Sequence, residues 1–396
     1  MNHPERLPTR PLAARLREIQ PFHVMTLIAR AKQLEAEGRD IVNLVVGEPD
    51  FPTPPRVQQA ARRVVDSGRV NYTAALGHPE LRQAIAQWYA RRYHIALPAS
   101  RVAVTTGSSA ALLLTMGVLL SPGERILMAD PGYPCNRNFV RAMDGEPVGI
   151  AVGADTRYQL TAELVERHWT AQTAGVLVCS PSNPTGSVID ANVYRDIYQV
   201  VRARGGWLIS DEIYHGLTYG SESPSALSFG DDVFVINSFS KYFGMTGYRL
   251  GWLIAPEQCM PEVDKLTGNL YISAPDIAQH AALAAFAPET VQLMEERRAE
   301  YRARRDFLLP RLRALGFEIP LAPDGAFYIY ADASRFTQDS FAFCFDVLEQ
   351  AGVAITPGID FGQHRASTHV RFSYPKSLSE LERGVARLTS YLSGKK

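Results

Sequence analysis

With 396 residues, 46% of them apolar, the chain can bury a sizeable core and form about two to three domains. Its 41 basic and 41 acidic side chains cancel, so no positive excess argues for nucleic acid or an anionic membrane, and a small-molecule ligand is the expectation. No apolar run approaches the roughly 20 residues that span a bilayer, and Cys135, Cys179, Cys259 and Cys344 include no Cys-x-x-Cys pair, which reads as a cytoplasmic protein with reduced thiols.

Residues 1–20 carry Arg6, Arg10, Arg15 and Arg17 but no apolar block ahead of a cleavage site. That argues against a secretory signal and leaves an organelle transit peptide as the minor alternative. Helical spacing of Phe22, Met25, Leu27, Ala29 and Leu34 predicts a helix over 22–37 that stops at Gly38, with a strand over 41–46 behind it. Gly47-Glu48-Pro49-Asp50-Phe51-Pro52 breaks regular structure before a helix over 55–66.

From residue 100 onward, apolar runs at 102–104, 125–128, 176–178, 207–209, 233–236 and 250–254 alternate with helical or turn-rich segments, the pattern of an α/β sheet with crossover helices. A long, largely solvated helix is predicted over 288–315, stopped by Gly316. Strands over 325–330, 353–356 and 369–373, then a capping box at Ser377 and Glu380, suggest a second, smaller α+β domain. The expected division is an arm and part of the small domain over 1–50, a large ligand-binding domain over 51–290, and the rest of the small domain over 291–396.

The predicted strands of the large domain repeatedly end in reactive residue types. The run at 176–178 leads to Ser180-Pro181-Ser182-Asn183-Pro184-Thr185-Gly186, that at 207–209 to Ser210-Asp211-Glu212-Ile213-Tyr214, and that at 233–236 to Ser238-Phe239-Ser240-Lys241. Ligands of open α/β sheets bind outside the carboxyl ends of the strands, so Asn183, Asp211, Tyr214 and Lys241 converge on one edge. Each residue has a task if the ligand is pyridoxal phosphate. Lys241 would carry the aldehyde as a Schiff base, Asp211 would keep the pyridine nitrogen protonated, and Tyr214 and Asn183 would hydrogen-bond the ring hydroxyl. Each also has an ordinary reading: a solvated loop lysine, a turn-capping aspartate, a packed tyrosine, an Asn-Pro turn.

A phosphate needs donors and charge. Thr105-Thr106-Gly107-Ser108-Ser109 joins a strand to an apolar helix over 111–120, so its backbone N–H groups and the hydroxyls of Ser108 and Ser109 would face an anion, although serine is also an ordinary helix cap. Arg249, with Ser238 and Ser240, would complete the cup; a surface ion pair is its other reading. Tyr133, in Asp130-Pro131-Gly132-Tyr133-Pro134, would stack on a flat ring or pack in a turn. Arg371, on the strand over 369–373, would clamp a carboxylate or simply face solvent.

With these residues in order, the chain resembles the class I and II aminotransferases, pyridoxal-phosphate enzymes of fold type I, from Asn43 to Phe372. The most specific pieces are Ser-Pro-Ser-Asn-Pro-Thr-Gly at 180–186, Asp-Glu-Ile-Tyr at 211–214, and Ser-Phe-Ser-Lys at 238–241 followed by Met-Thr-Gly-Tyr-Arg-Leu-Gly. The resemblance implies an α/β fold with a mostly parallel sheet flanked by helices, plus a smaller α+β domain. It further implies that Lys241 bonds the cofactor and moves the substrate α-proton, that Asp211 pairs with the pyridine nitrogen, and that Asn183 and Tyr214 hold the ring oxygen. By the same resemblance Tyr133 stacks, Ser108, Ser109, Ser238, Ser240 and Arg249 bind phosphate, Arg371 binds the substrate carboxylate, and Gly47 approaches the substrate. Tyr72 matches the tyrosine that reaches the phosphate of the neighbouring subunit, which implies a homodimer with shared sites.

Two departures bear on substrate. Ser109 stands where a dicarboxylate-using branch has lysine, and no Lys or Arg lies between Lys265 and Arg297, where another branch has an arginine. Phe22, Val24 and Met25 could form an apolar pocket, so a neutral or aromatic amino donor is favoured over aspartate. The expectation is an aminotransferase passing an amino group from an amino acid to a 2-oxo acid, with no metal. The alternatives are a β-eliminating lyase cleaving a carbon–sulfur bond with the same residues, and a cofactor-sensing regulator. For the latter, about 40 residues before the first strand leave little room for a DNA-binding module.

Overall fold

A computed structural model describes residues 12–19, 21–220 and 222–394. In chain order its strands are β1 (Val42–Asn43), β2 (Val102–Thr105), β3 (Arg125–Asp130), β4 (Glu146–Ala151), β5 (Thr173–Cys179), β6 (Trp207–Asp211), β7 (Val233–Ser238), β8 (Gly251–Ile254), β9 (Tyr328–Asp332), β10 (Val353–Ala354), β11 (Thr356–Pro357) and β12 (His369–Ser373). Seven of them form one sheet in the order β2-β8-β7-β6-β5-β3-β4. Strand β8 runs antiparallel to both its neighbours, and the pairs from β7 through β4 are parallel. A mostly parallel, helix-flanked sheet is therefore the architecture, as the alternating pattern predicts.

Alternation along these strands builds two core layers. Ala103, Ile126, Met128, Leu177, Ile209, Phe234, Ile236 and Leu253 face one side, against Ala111, Leu112 and Leu114 of the helix Gly107–Leu119. Val104, Leu127, Val176, Val178, Leu208, Val233, Val235 and Trp252 face the other. Burial on both faces explains why the central strands read as unbroken apolar runs rather than alternating ones. Each fully buried side chain of this kind contributes about 1.5–3 kcal/mol.

The sequence pattern does not reveal β4. It is an edge strand carrying Pro147 and Gly149, both disfavoured in strands. The helix over 288–315 is present with these bounds and ends at Gly316 with φ 105°, a left-handed cap suited to glycine. It is less solvated than its charge suggests, because Met294, Tyr301, Arg304, Leu308, Leu309 and Leu312 bury one face. The Ser377–Glu380 capping box forms as the sequence predicts.

Two smaller sheets complete the fold. One pairs β1 with β10 in parallel, and the other is antiparallel in the order β11-β12-β9. Three segments tie them to the large sheet. The backbone of Asp324 and Gly325 bonds Gly186 O at 2.9 Å each, Ala326 N–H bonds Leu217 O at 2.8 Å, and Gly132 N–H bonds Phe361 O at 2.8 Å. Gly186 is confined to glycine by its φ of +67° and by Pro323, whose Cβ would lie 2.5 Å from an added methyl. The turn after β5 thus meets the segment entering β9, and a cleft forms where the carboxyl ends of β5, β6 and β7 face β12.

Candidate active site

A cavity of about 370 Å³ occupies this cleft. Parallel register sets its floor: Cys179 pairs with Asp211 and Asp211 with Ile236, so the three strands deliver their final residues to one edge. Asp211 is 3% exposed. Its Oδ1 accepts the Ile213 N–H at 3.2 Å. Burial raises its pKa to about 6, opposed by that amide, the Cys179 thiol, the Asn136 side chain and Lys241. A carboxylate so placed is ready to be stabilised by a cationic partner.

Lys241 comes from the loop after β7. Its Nζ donates to Gly47 O at 2.6 Å and lies 5.8 Å from the ring centroids of both Tyr214 and Phe327. Burial lowers its pKa to about 8 against the pull of Glu48, with Arg371 and Arg249 pushing the same way as burial. A lysine in this state is a usable nucleophile and base near neutrality.

At one end of the cavity Ser108 and Ser109 occupy the first turn of the helix Gly107–Leu119, four residues earlier than the predicted start. Close packing makes this possible. A Cβ on Gly251 would lie 2.8 Å from both Gly107 C and Ser108 N, and one on Gly107 would lie 2.8 Å from Arg249 Nη2. Two glycines therefore let β8 and the Arg249 guanidinium approach the helix start. Arg249 holds a left-handed conformation (φ 53°, ψ 54°), and its Nη1 donates to Thr246 O at 2.9 Å and Ser240 Oγ at 3.5 Å. Helix amides, hydroxyls and a guanidinium form a cradle for an anion.

At the other end stands Arg371, buried on β12 and paired in register with Thr356 and Tyr330. Its Nη1 donates to Asn183 Oδ1 at 2.9 Å and its Nη2 to Val45 O at 2.7 Å. The guanidinium carbon lies 4.3 Å from the Tyr328 ring centroid and 4.8 Å from that of Phe361. Its buried Nε has no hydrogen-bond partner among the described residues, although a buried cation ordinarily satisfies its donors. The groups these donors reach directly, Asn183 Oδ1, Val45 O and Thr356 Oγ1, are all neutral, which suits an incoming carboxylate. Tyr214 OH shares a hydrogen bond of 2.7 Å with Tyr328 OH, and burial drives the Tyr214 pKa well above its usual value, so it stays a neutral phenol.

Phe22, Val24, Met25, Leu112, Ile213 and Phe361 supply the apolar wall. Asp360 lines the same wall, 5% exposed. Its two carboxylate oxygens accept the N–H groups of His23 and Val24 at 2.8 Å each, which fixes the start of the helix His23–Ala36 over the cavity. Burial raises its pKa despite those two amides and the nearby Arg371.

Of the residues singled out from sequence, Gly47, Ser108, Ser109, Tyr133, Asn183, Asp211, Tyr214, Ser240, Lys241, Arg249 and Arg371 all line this cavity. Ser238 lies behind it, its Oγ donating to Leu250 O at 3.2 Å and accepting the Ser240 N–H at 2.9 Å. Tyr72 is apart from the cavity and 81% exposed. Sequence reasoning missed Tyr328, Asp360 and Phe361. The first was seen only as a strand residue, and no motif flags the other two.

A buried carboxylate, a lysine with a depressed pKa, an anion cradle and an arginine with an unused donor fit pyridoxal phosphate with an amino acid beside it. Asp211 would hold the ring nitrogen, Lys241 the aldehyde carbon, and the Gly107–Ser109 turn with Arg249 the phosphate.

Comparison with known proteins gives the same direction. Residues 39–388 match the family model described as aminotransferase class I and II. The valine–pyruvate aminotransferase of Mycobacterium tuberculosis is 42% identical, over 94% of this chain and 97% of that protein. The crystal structure of an aminotransferase from the same organism superposes with a TM-score of 0.94 at 41% identity, covering 98% of this chain and all of that one (100%). The aspartate aminotransferase of Thermus thermophilus solved with maleate gives a TM-score of 0.91 at 33% identity, over 96% of this chain and 100% of that chain.

Proposed function

Since the chain belongs to the class I and II aminotransferases, pyridoxal-phosphate enzymes of fold type I, we propose that it transfers the amino group of a neutral or aromatic L-α-amino acid to a 2-oxo acid. The reaction is two-stage and ping-pong, carried out by a cytoplasmic homodimer with shared sites. In this reading residues 51–290 form the cofactor-binding domain, and residues 1–50 with 291–396 form the smaller one.

Bound pyridoxal phosphate supplies an electron sink for negative charge developing at the substrate Cα. Asp211 keeps a proton at the pyridine nitrogen, and its burial strengthens that pairing. Asn183 and Tyr214 would hydrogen-bond the ring oxygen, and Tyr133 would stack on the ring. Ser108, Ser109, Ser240 and Arg249 would hold the phosphate, with Ser238 bracing the Ser240 amide from behind and Tyr72 joining from the neighbouring subunit. Arg371 binds the substrate carboxylate, and Gly47 lets the backbone come close to it. Lys241 would anchor the cofactor at its aldehyde, and its Nζ would take the proton from the substrate Cα, a task suited to a pKa near 8.

The observation that carries the choice of donor is the apolar wall of the cavity. Phe22, Val24 and Met25 form it with Asp360, so an apolar side chain finds contact and a second carboxylate meets a like charge. The valine–pyruvate activity in the name of the mycobacterial relative supports the same reading.

A panel of amino acids mixed with the holoenzyme tests it. Valine- or phenylalanine-like donors are expected to yield the 2-oxo acid and the aminated cofactor, with aspartate at least about tenfold slower. Pyruvate, ammonia and a thiol released from a cysteine conjugate, without aminated cofactor, would instead identify an eliminating lyase.

A further inference from the structure

Outside the cleft, two histidines and an aspartate meet at the junction of two helices. Asp276 and His280 lie four residues apart in the helix Asp276–Leu283, so both point from one face of it. His78 immediately precedes the helix Pro79–Tyr93. His78 Nε2 lies 2.7 Å and His280 Nε2 3.3 Å from the same oxygen, Asp276 Oδ1. The imidazole centroids are 4.5 Å apart, and one ligand atom from each of the three residues falls within 4.8 Å of the others. None of the three lines the cavity.

We propose that His78, Asp276 and His280 bind a single divalent transition-metal ion of the zinc class. Ligands around zinc at about 2.0–2.1 Å stand roughly 3.3 Å apart in a tetrahedron. The His280–Asp276 separation of 3.3 Å matches that value, the His78–Asp276 separation of 2.7 Å is shorter, and the remaining pair lies within 4.8 Å, so side-chain rotations suffice. An ion pair explains one imidazole on Asp276, but leaves the second crowding the same oxygen, whereas one metal ion satisfies both nitrogens. Three protein ligands leave a fourth position for water, and the half-exposed His280 opens it to solvent.

The site is already braced. Asp276 Oδ2 accepts the Asn71 N–H at 3.0 Å, which orients the carboxylate and leaves Oδ1 for the ion. The His78 backbone N–H donates to Gln279 Oε1 at 2.8 Å, and Gln279 Nε2 donates to Thr73 Oγ1 at 3.0 Å. Burial would raise the Asp276 pKa, but the Asn71 amide and the two imidazoles outweigh it and hold the group below the usual carboxylate range. It is therefore an anion at neutral pH. Bracing of residues 71 and 73 means that the ion would also stiffen the segment carrying Tyr72.

Competition against a chromophoric chelator, with zinc added to the pyridoxal-phosphate-loaded protein, tests the proposal. The expected result is one equivalent bound, with affinity at least about tenfold weaker in His280→Gln and in His78→Gln. Cobalt is expected to give the absorption bands of a four-coordinate site, lost in both variants while their metal-free thermal unfolding stays near that of the parent. Failure to bind one equivalent, or binding unchanged in two folded variants, overturns it.

Discussion

The Tyr328 hydroxyl fills the space that a side chain on Gly47 would need: a Cβ there would lie 2.0 Å from it. Gly47 O is also the acceptor of Lys241 Nζ, and Tyr328 OH is the partner of Tyr214 OH. One absent methyl group thus sets the relation between the lysine, two phenols and the loop before the cleft. Gly47→Ala is expected to push Tyr328 aside and misplace Lys241, lowering kcat/KM about 100-fold, the size expected for a displacement of roughly 1 Å. Steady-state kinetics on a variant of unchanged circular dichroism measures it, and Tyr328→Phe in the same background is expected to recover part of the loss by removing the clashing oxygen.

Arg371→Lys keeps the charge but loses the planar fork that reaches Asn183 and Val45 together and stacks between Tyr328 and Phe361. Loss of one charge-assisted hydrogen bond to a substrate carboxylate costs about 1.5–3 kcal/mol. KM for both the amino acid and the 2-oxo acid is expected to rise roughly 10- to 100-fold. An amine substrate without a carboxylate should show no such change, and a comparison of the two substrates reads out the role directly.

Lys241, Asp211 and Asn183 were legible in the sequence because each ends or follows a parallel strand, and parallel register brings strand ends to a common edge whatever the loops do. Tyr328 and Asp360 were not. They arrive from β9 and from the turn Gly358–Asp360, more than 80 residues beyond Lys241, and only the docking of the small sheets carries them to the cavity. The early start of the helix at Gly107 was hidden for a related reason. Gly107, Ser108 and Ser109 are weak helix formers, and packing against Gly251 outweighs that preference. The apolar wall, by contrast, was visible, since Phe22, Val24 and Met25 line the cavity.

Asp360 supplies the only acidic side chain on the apolar wall among the described residues lining the cavity. Asp360→Ala removes the charge that a donor's second carboxylate would meet. The ratio of kcat/KM for aspartate over valine is therefore expected to rise about tenfold, equivalent to roughly 1.4 kcal/mol. The same change frees the N–H groups of His23 and Val24, so valine itself should lose activity as its wall loosens. A ratio that stays at the parental value would show that Asp360 only holds the helix.

Lys241 must be neutral to attack an aldehyde, and burial lowers its pKa to about 8. The direction matters: below that value the amine is protonated and unreactive, above it the neutral form prevails. Uptake of pyridoxal phosphate by cofactor-free protein should accelerate about tenfold per pH unit up to about pH 8, then level off. Glu48 raises this pKa, so Glu48→Gln should move the midpoint to lower pH. Absorbance of the bound cofactor followed in a stopped-flow instrument across pH 6 to 10 gives the profile, and a midpoint above about 10 would remove the basis for a prepared nucleophile.

Tyr72 is 81% exposed in a single chain, while the backbone on either side of it is anchored: Asn71 N–H on Asp276 and Thr73 N–H on Ser273 Oγ at 3.3 Å. An anchored segment that displays a bare aromatic ring suits a role in another subunit, and this can be separated from a role in its own. Tyr72→Ala homodimers are expected to release pyridoxal phosphate at least about tenfold more readily, having lost a hydrogen bond to a charged acceptor, and Lys241→Ala homodimers to be inactive. In a hybrid of the two, the site that retains Lys241 receives Tyr72 from its partner if the sites are shared. That hybrid should bind cofactor with parental affinity at half its sites and regain activity. If Tyr72 serves its own subunit, the only site with Lys241 also carries the alanine, and mixing the subunits restores nothing.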